Sequence, residues 1–109
     1  MSKKTKKQGM CYISGKITGL PLDEVREKFG QAEKEVSKLG YVGVSPLNNG
    51  IDDDAEWGDH IVEDIKMLNR CSAVYFLTNW QDSEGAKIEH TFARNAKKKM
   101  IYQKDGLTK

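Results

Sequence analysis

The chain has 109 residues and a nearly balanced charge, with 18 Lys and Arg against 16 Asp and Glu and a formal net charge of +2. This length fits one compact domain, and 38% hydrophobic with 31% charged residues is typical of a globular protein rather than a disordered one. No apolar run is long enough to cross a bilayer, and the lysine-rich start lacks the apolar stretch of a signal peptide. We therefore expect a cytoplasmic protein with a disordered basic tail (residues 1–9) and one domain (residues 10–109).

Cysteine and histidine spacing argues against a metal site. Cys11 and Cys71 lie far apart, each beside a predicted strand, and the two histidines show no ligand spacing. We predict buried free thiols, no metal and no cofactor. The small net charge gives little support to nucleic-acid binding. A role beside nucleic acid stays open only through phosphate contacts of the tail lysines, which are Lys3, Lys4, Lys6 and Lys7.

Apolar runs and helical periodicity alternate along the chain. Short apolar runs predict strands at 10–14, 41–45, 73–77 and 100–102. Apolar residues spaced by three and four predict helices at 22–39, about 55–69 and about 83–97. The inward faces are expected to consist of Leu22, Val25, Phe29, Ala32, Val36 and Leu39 in the first helix, of Trp57, Ile61, Ile65 and Leu68 in the second, and of Ala86, Ala93 and Ala96 in the third.

This alternation predicts a three-layer α/β fold. Strands that alternate with helices form right-handed crossovers and a parallel sheet. We predict a small doubly wound sheet, flavodoxin-like or Rossmann-like, with about four strands in the order 2-1-3-4. Ligands of such sheets bind beyond the carboxyl ends of the strands, where the first and third strands diverge. The loops after Ser14, Ser45 and Leu77 are therefore the expected walls of a site.

Two acids occupy helix positions where apolar side chains are expected. Glu89 lies between Ala86 and Ala93 in the small-residue stripe of the third helix, and Asp64 lies within the inward stripe of the second. A carboxylate that faces a core is costly unless it is hydrogen-bonded or opens onto a cleft. Burial would also raise its pKa and suit it to acid–base work. A flanking position in contact with water remains the alternative for both acids.

Two segments have the composition of a phosphate site. Ser83, Gly85 and Ala86 begin the third helix directly after a strand, where a hydroxyl and backbone N–H groups bind anions; an ordinary helix cap is the alternative. Trp80, in the preceding loop, is placed to stack on a base or to cap the edge of the core. The second segment is a glycine-bounded loop that is not a Walker A motif, and it consists of Gly15, Lys16, Ile17, Thr18 and Gly19.

Together these motifs resemble nucleoside 2-deoxyribosyltransferases and the related deoxynucleoside 5'-monophosphate N-glycosidases. Residues 12–19 are similar to the opening strand and loop of those enzymes. Residues 64–74 and 83–89 resemble a second signature, in which an Asp precedes a strand and a small-residue helix start places a Glu one turn in. The chain most resembles the small bacterial and phage branch named DUF4406, described as nucleoside deoxyribosyltransferase-like, over residues 10–102.

The resemblance implies a role for each matching residue. Glu89 matches the nucleophile that attacks the anomeric carbon, Asp64 matches an aspartate that helps to protonate the leaving base, and Tyr12 matches a tyrosine that orients the glutamate. Ser83 matches a phosphate-binding serine. Ser14 and the loop at 15–19 match the strand end and the phosphate-side loop of the glycosidases.

The implied reaction is cleavage of the N-glycosidic bond of a 2-deoxyribonucleotide, by hydrolysis or by deoxyribosyl transfer. A catalytically degenerate module that only binds a nucleotide is the alternative. The implied partners are a small-molecule deoxynucleotide or nucleoside and a second copy of the chain in a homodimer, without a membrane or nucleic acid. His90 stands where many relatives have Gly, and it is expected to narrow the pocket.

Overall fold

The computed structural model describes residues 9–104, in which four strands alternate with three α-helices. The three strand pairs are parallel and the sheet order is 2-1-3-4, which confirms the predicted fold. The predicted tail lies outside the described residues except for Gly9, which pairs with Tyr41 as the first residue of the sheet. In chain order the elements are β1 (Gly9–Ser14), α1 (Leu22–Lys38), β2 (Tyr41–Val44), α2 (Trp57–Asn69), β3 (Ala73–Phe76), α3 (Glu84–Asn95) and β4 (Lys99–Tyr102).

The sheet has a packed core on each face. One core cluster joins the sheet to α1 through Val25, Phe29, Ala32 and Val36, and the other joins it to α2 and α3 through Leu68 and Ala93. Successive side chains of a strand point to opposite faces. In β1 this alternation directs Cys11 and Ile13 towards α1 and directs Tyr12 towards α2 and α3. Ser14, two residues further, shares the Tyr12 face.

The ends of the predicted helix faces are exposed. Leu22 and Leu39, at the two ends of α1, are 52% and 45% exposed. Trp57, the first residue of α2, is 49% exposed, so its interpretation as a core residue is wrong. Ala96 is also exposed, because α3 ends at Asn95. A 17-residue helix is about 25 Å long, whereas strands of four to six residues span about 13–20 Å. Helix ends therefore extend past the sheet.

Both cysteines are buried free thiols, as the sequence predicts. Burial raises the pKa of Cys11 to about 12 and that of Cys71 to about 11, so both stay protonated and unreactive. Among residues 9–104 there is no helix with the length and apolar content needed to span a bilayer. Over the same residues, no three His, Cys, Asp or Glu side chains converge in a way that would hold a metal ion.

Candidate active site

A cavity of about 540 Å³ lies beside the carboxyl ends of β1 and β2. This is the edge where parallel sheets of this type bind ligands. Its walls come from the loops that follow these two strands, from one face of α2 and from the first turns of α3. The predicted site residues among its lining are Gly15, Ile17, Thr18, Asp64, Ser83, Gly85, Ala86 and Glu89.

The carboxylate of Glu89 is held by two hydroxyl groups of β1. Tyr12 Oη donates to Glu89 Oε2 at 2.8 Å, and Ser14 Oγ donates to Oε1 at 2.7 Å. These residues meet because Tyr12 and Ser14 share one face of the strand and α3 packs over that face. Glu89 is only 4% exposed, yet it borders the cavity. Its carboxylate is therefore fixed in direction and faces a space that a small molecule can enter.

Burial dominates the acid–base properties of Glu89. It raises the pKa of this carboxyl to about 8, and the charge of Asp64 acts in the same direction, whereas the hydrogen bonds from Ser14 and Tyr12 lower it. Burial, followed by the charge of Glu89, raises the pKa of Tyr12 well above its ordinary value. Tyr12 consequently remains a proton donor to the carboxylate at any physiological pH.

Asp64 lies on the α2 wall of the same cavity and is 6% exposed. Asn49 Nδ2 donates to its Oδ1 at 2.9 Å. Burial raises the pKa of Asp64 to about 6, against the lowering effect of the Asn49 hydrogen bond. Both acids therefore face inward rather than lying at the helix flanks. Because Asp64 also raises the pKa of Glu89, the two carboxyls titrate as an interacting pair.

The start of α3 combines a helix cap with a close helix contact. Ser83 is the N-cap, and its Oγ accepts a hydrogen bond from the backbone N–H of Ala86 at 3.1 Å. A Cβ on Gly85 would lie 2.8 Å from Cδ1 of Ile61, so glycine permits α3 to approach α2. The cap alone accounts for the position of Ser83. Anion binding here stays a prediction, now with the three residues on the cavity wall.

The loop after β1 is divided between the cavity and a neighbouring loop. Lys16 does not line the cavity: its N–H donates to Asn79 Oδ1 at 3.0 Å, and its Nζ donates to the carbonyl of Asp82 at 3.1 Å. Gly19 has φ +90° and turns the chain towards α1. Gly15 lies so close to Leu77 that a Cβ would be 2.5 Å from its Cδ1. This contact joins the ends of β1 and β3.

The aromatic residues near β4 lie outside the cavity lining. Trp80 stacks on His90 with ring centroids 4.1 Å apart and an interplanar angle of 10°, and both rings also contact Phe76. His90 Nε2 is 2.8 Å from Tyr102 Oη. Trp80 thus caps the edge of the core, the alternative that the sequence left open. The expectation that His90 narrows the pocket is wrong, because its ring packs towards β4.

Three lining residues were missed by the sequence reasoning: Asn49, Trp57 and His60. His60 precedes Asp64 by four residues, so helical spacing alone could have placed it on the same face as that acid. Trp57 was assigned to the core on hydrophobicity. Asn49 gave no signal, because its position depends on the 3-10 turn Pro46–Asn48 that precedes it.

Comparison with known proteins agrees with the extent of this fold. No curated protein matches the chain. A family model described as "Domain of unknown function (DUF4406)" matches residues 9–102, which run from the first residue of β1 to the last residue of β4. The chain therefore belongs to the DUF4406 family.

Proposed function

We propose that this protein cleaves the N-glycosidic bond of a 2-deoxyribonucleotide, by hydrolysis or by transfer of the deoxyribosyl group, with Glu89 as the nucleophile. The observation that carries the proposal is the buried Glu89 carboxylate, bound by Tyr12 and Ser14 on the wall of a cavity that Asp64 also lines. Glycosidic cleavage through a covalent intermediate needs such a carboxylate and a second group that protonates the leaving group. The resemblance to nucleoside deoxyribosyltransferases points to the same reaction.

Two displacements at the anomeric carbon complete the reaction. In the first, a Glu89 oxygen bonds to that carbon, the bond to the base breaks, its electron pair goes to the base, and Asp64 gives the base a proton. In the second, water or another base attacks the same carbon, Glu89 leaves as carboxylate, and Asp64 takes the proton back. The hydrogen bonds from Tyr12 and Ser14 stabilise the departing carboxylate.

The cavity suits a nucleotide in size and polarity. Its volume of about 540 Å³ lies within the usual range for small-molecule sites. Ser83 and the N-terminus of α3 would bind the 5'-phosphate, while the half-exposed Trp57 and the neighbouring Ile61 offer apolar surface to a base. The homodimer and the cytoplasmic location predicted from the sequence belong to this proposal.

Base release from a nucleotide panel tests the proposal. The four deoxynucleoside monophosphates, their nucleosides and the matching ribonucleotides are incubated with the protein, and free base is measured by chromatography. We expect release from deoxynucleotides, and faster than from ribonucleotides. Glu84→Gln, on the exposed side of α3, should leave the rate unchanged. Absence of free base across the whole panel would contradict the proposal.

A nucleotide-binding module without catalysis is the second candidate. It is favoured by the pKa of Glu89, about 8, since the carboxyl is then mostly protonated at neutral pH and a protonated carboxyl is a poor nucleophile. Calorimetric binding of a deoxynucleotide that stays intact over hours would support this candidate over the enzyme.

The pH profile of kcat/KM is expected to have an unusual assignment. Activity requires Glu89 ionised and Asp64 protonated, although their pKa values are about 8 and about 6. Only about 1% of molecules hold this combination at pH 7. The rate should rise up to about pH 6, stay level to about pH 8 and then fall.

Asp64→Asn separates the two ionisations. Without a second titrating acid, the rate is lower and follows the ionisation of Glu89 alone, so the rising limb moves from near 6 towards 8. It should end somewhat below 8, since the charge of Asp64 no longer raises the pKa of Glu89. Asp59→Asn, an exposed acid on the same helix, is the matched control. A rising limb that stays near 6 in Asp64→Asn would refute this assignment.

A further inference from the structure

Asn49 ties two groups of the cavity wall together. Its Oδ1 accepts a hydrogen bond from the backbone N–H of Ile51 at 2.9 Å. Its Nδ2 donates to Asp64 Oδ1 at 2.9 Å and lies 3.1 Å from Nδ1 of His60. One side chain, from the loop after β2, therefore contacts two neighbouring residues of α2.

The contact with Ile51 fixes the orientation of this amide. A backbone N–H can only donate, so the atom that it meets must be the oxygen of Asn49, and the nitrogen must face α2. The two N–H groups of that nitrogen then serve Asp64 and His60, one each. His60 Nδ1 must accept, which requires a neutral ring with its proton on Nε2.

The other nitrogen of His60 is available to a ligand. His60 and Asp64 are four residues apart in α2, so they share one helix face, and both line the cavity. Within residues 9–104, the hydrogen bond of the His60 ring is the one that Nδ1 makes to Asn49. The Nε2–H group is thus a donor of defined tautomer beside the acid that faces Glu89.

We propose that His60 donates a hydrogen bond from Nε2 to the departing base and that Asn49 is the positioning residue that fixes this tautomer. The inference rests on the proposed function. When the N-glycosidic bond breaks, its electron pair moves onto the base, and a donor at a base acceptor atom stabilises the developing charge. Asp64 transfers the proton, whereas the neutral imidazole only donates a hydrogen bond.

This role defines the class of base that the site accepts. The base must carry a hydrogen-bond acceptor near its glycosidic nitrogen, as pyrimidines do at O2 and purines do at N3. A base analogue in which a C–H replaces this acceptor should lose the contribution of His60, while it still fits the cavity.

Substitution of His60 tests the contact kinetically. His60→Phe keeps a ring but removes the donor, and we expect kcat to fall about 10²-fold with KM nearly unchanged. The loss should shrink for a halogenated base, which carries negative charge more easily and needs less help. His60→Gln, whose amide can donate, should recover part of the rate. An equal loss for the ordinary and the halogenated base would overturn the proposal.

Nitrogen NMR tests the tautomer without reference to activity. The chain has two histidines, so His60→Phe assigns the signals by elimination. With the ring neutral, we expect a bare Nδ1 and a protonated Nε2. Asn49→Asp should move the proton to Nδ1, since the new carboxylate only accepts, and it should reduce kcat as His60→Phe does. A protonated Nδ1 in the unaltered protein would overturn the proposal.

Binding separates this inference from the proposed function. If no nucleotide releases base, the proposed reaction is refuted, and the contact is decided by adding 2'-deoxyadenosine or thymidine 5'-monophosphate at saturating concentration. A shift of the Nε2–H signal that is absent with deoxyribose 5-phosphate supports His60 as the donor to the base. A signal that neither nucleotide moves overturns it.

Discussion

Glu89→Gln is expected to lower base release by about 10³-fold or more. The amide has nearly the shape of the carboxylate and can still accept from Tyr12 or Ser14, so the cavity wall is preserved. It has no anionic oxygen to bond to the anomeric carbon or to stabilise an oxocarbenium-like transition state. Free base is measured by chromatography and nucleotide affinity by calorimetry.

The controls for this variant separate chemistry from folding. Glu84→Gln changes the same residue type five positions earlier in α3, at a side chain that is 80% exposed and pairs with Lys87. It should retain the full rate. Nucleotide binding by Glu89→Gln should change by no more than about threefold. If Glu89→Gln kept more than about a tenth of the activity, Glu89 would not be the nucleophile.

The same substitution is expected to stabilise the protein at alkaline pH. The folded state raises the pKa of Glu89 from 4.5 to about 8, so between these values it holds a proton that the unfolded chain has lost. Stability is therefore fully present below about 4.5 and falls as the pH rises through about 8. Gln does not titrate, so the variant escapes this loss.

The expected gain is on the order of 3–4 kcal/mol at pH 8–9, since each unit of pKa shift is worth about 1.4 kcal/mol. The corresponding rise in Tm is more than about 10 °C for a domain of this size. Urea titrations at pH 4.5 and pH 8.5 measure the difference, which should be close to zero at the lower pH. Glu84→Gln should show no such trend. Equal stability of Glu89→Gln and the unaltered protein at pH 8.5 would mean that the burial of Glu89 is not costly.

A gain in stability with a loss of activity would indicate a functional compromise. A buried carboxylate that is only partly compensated by two hydroxyl donors is not what packing alone would select. Its cost is explained when the group serves a purpose that an amide cannot.

The sequence predicted the sheet and the two acids because both depend on periodicity. Alternating apolar runs and helical stripes determine a parallel four-stranded sheet and its order. The same stripes show Asp64 and Glu89 as acids at inward positions, and the structure buries both. A local pattern was enough here because each acid lies near the middle of its helix.

The remaining features depend on contacts that local patterns do not contain. Asn49 reaches Asp64 only because the chain after β2 folds into a 3-10 turn. The two tryptophans were assigned by hydrophobicity, but their burial depends on where helices extend past the sheet. Trp57 is therefore exposed at the cavity, while Trp80 packs on His90.

Mass spectrometry of the glutamate itself tests the central claim most directly. Trypsin cleavage after Lys87 and Arg94 yields residues 88–94, in which Glu89 is the single side-chain carboxyl. The protein is incubated with a 2-deoxy-2-fluoro nucleotide, whose fluorine slows loss of the intermediate, and the reaction is quenched with acid. We expect this peptide to gain the mass of one fluorinated deoxyribosyl phosphate. Release of base with this peptide unmodified throughout would contradict a covalent mechanism at Glu89.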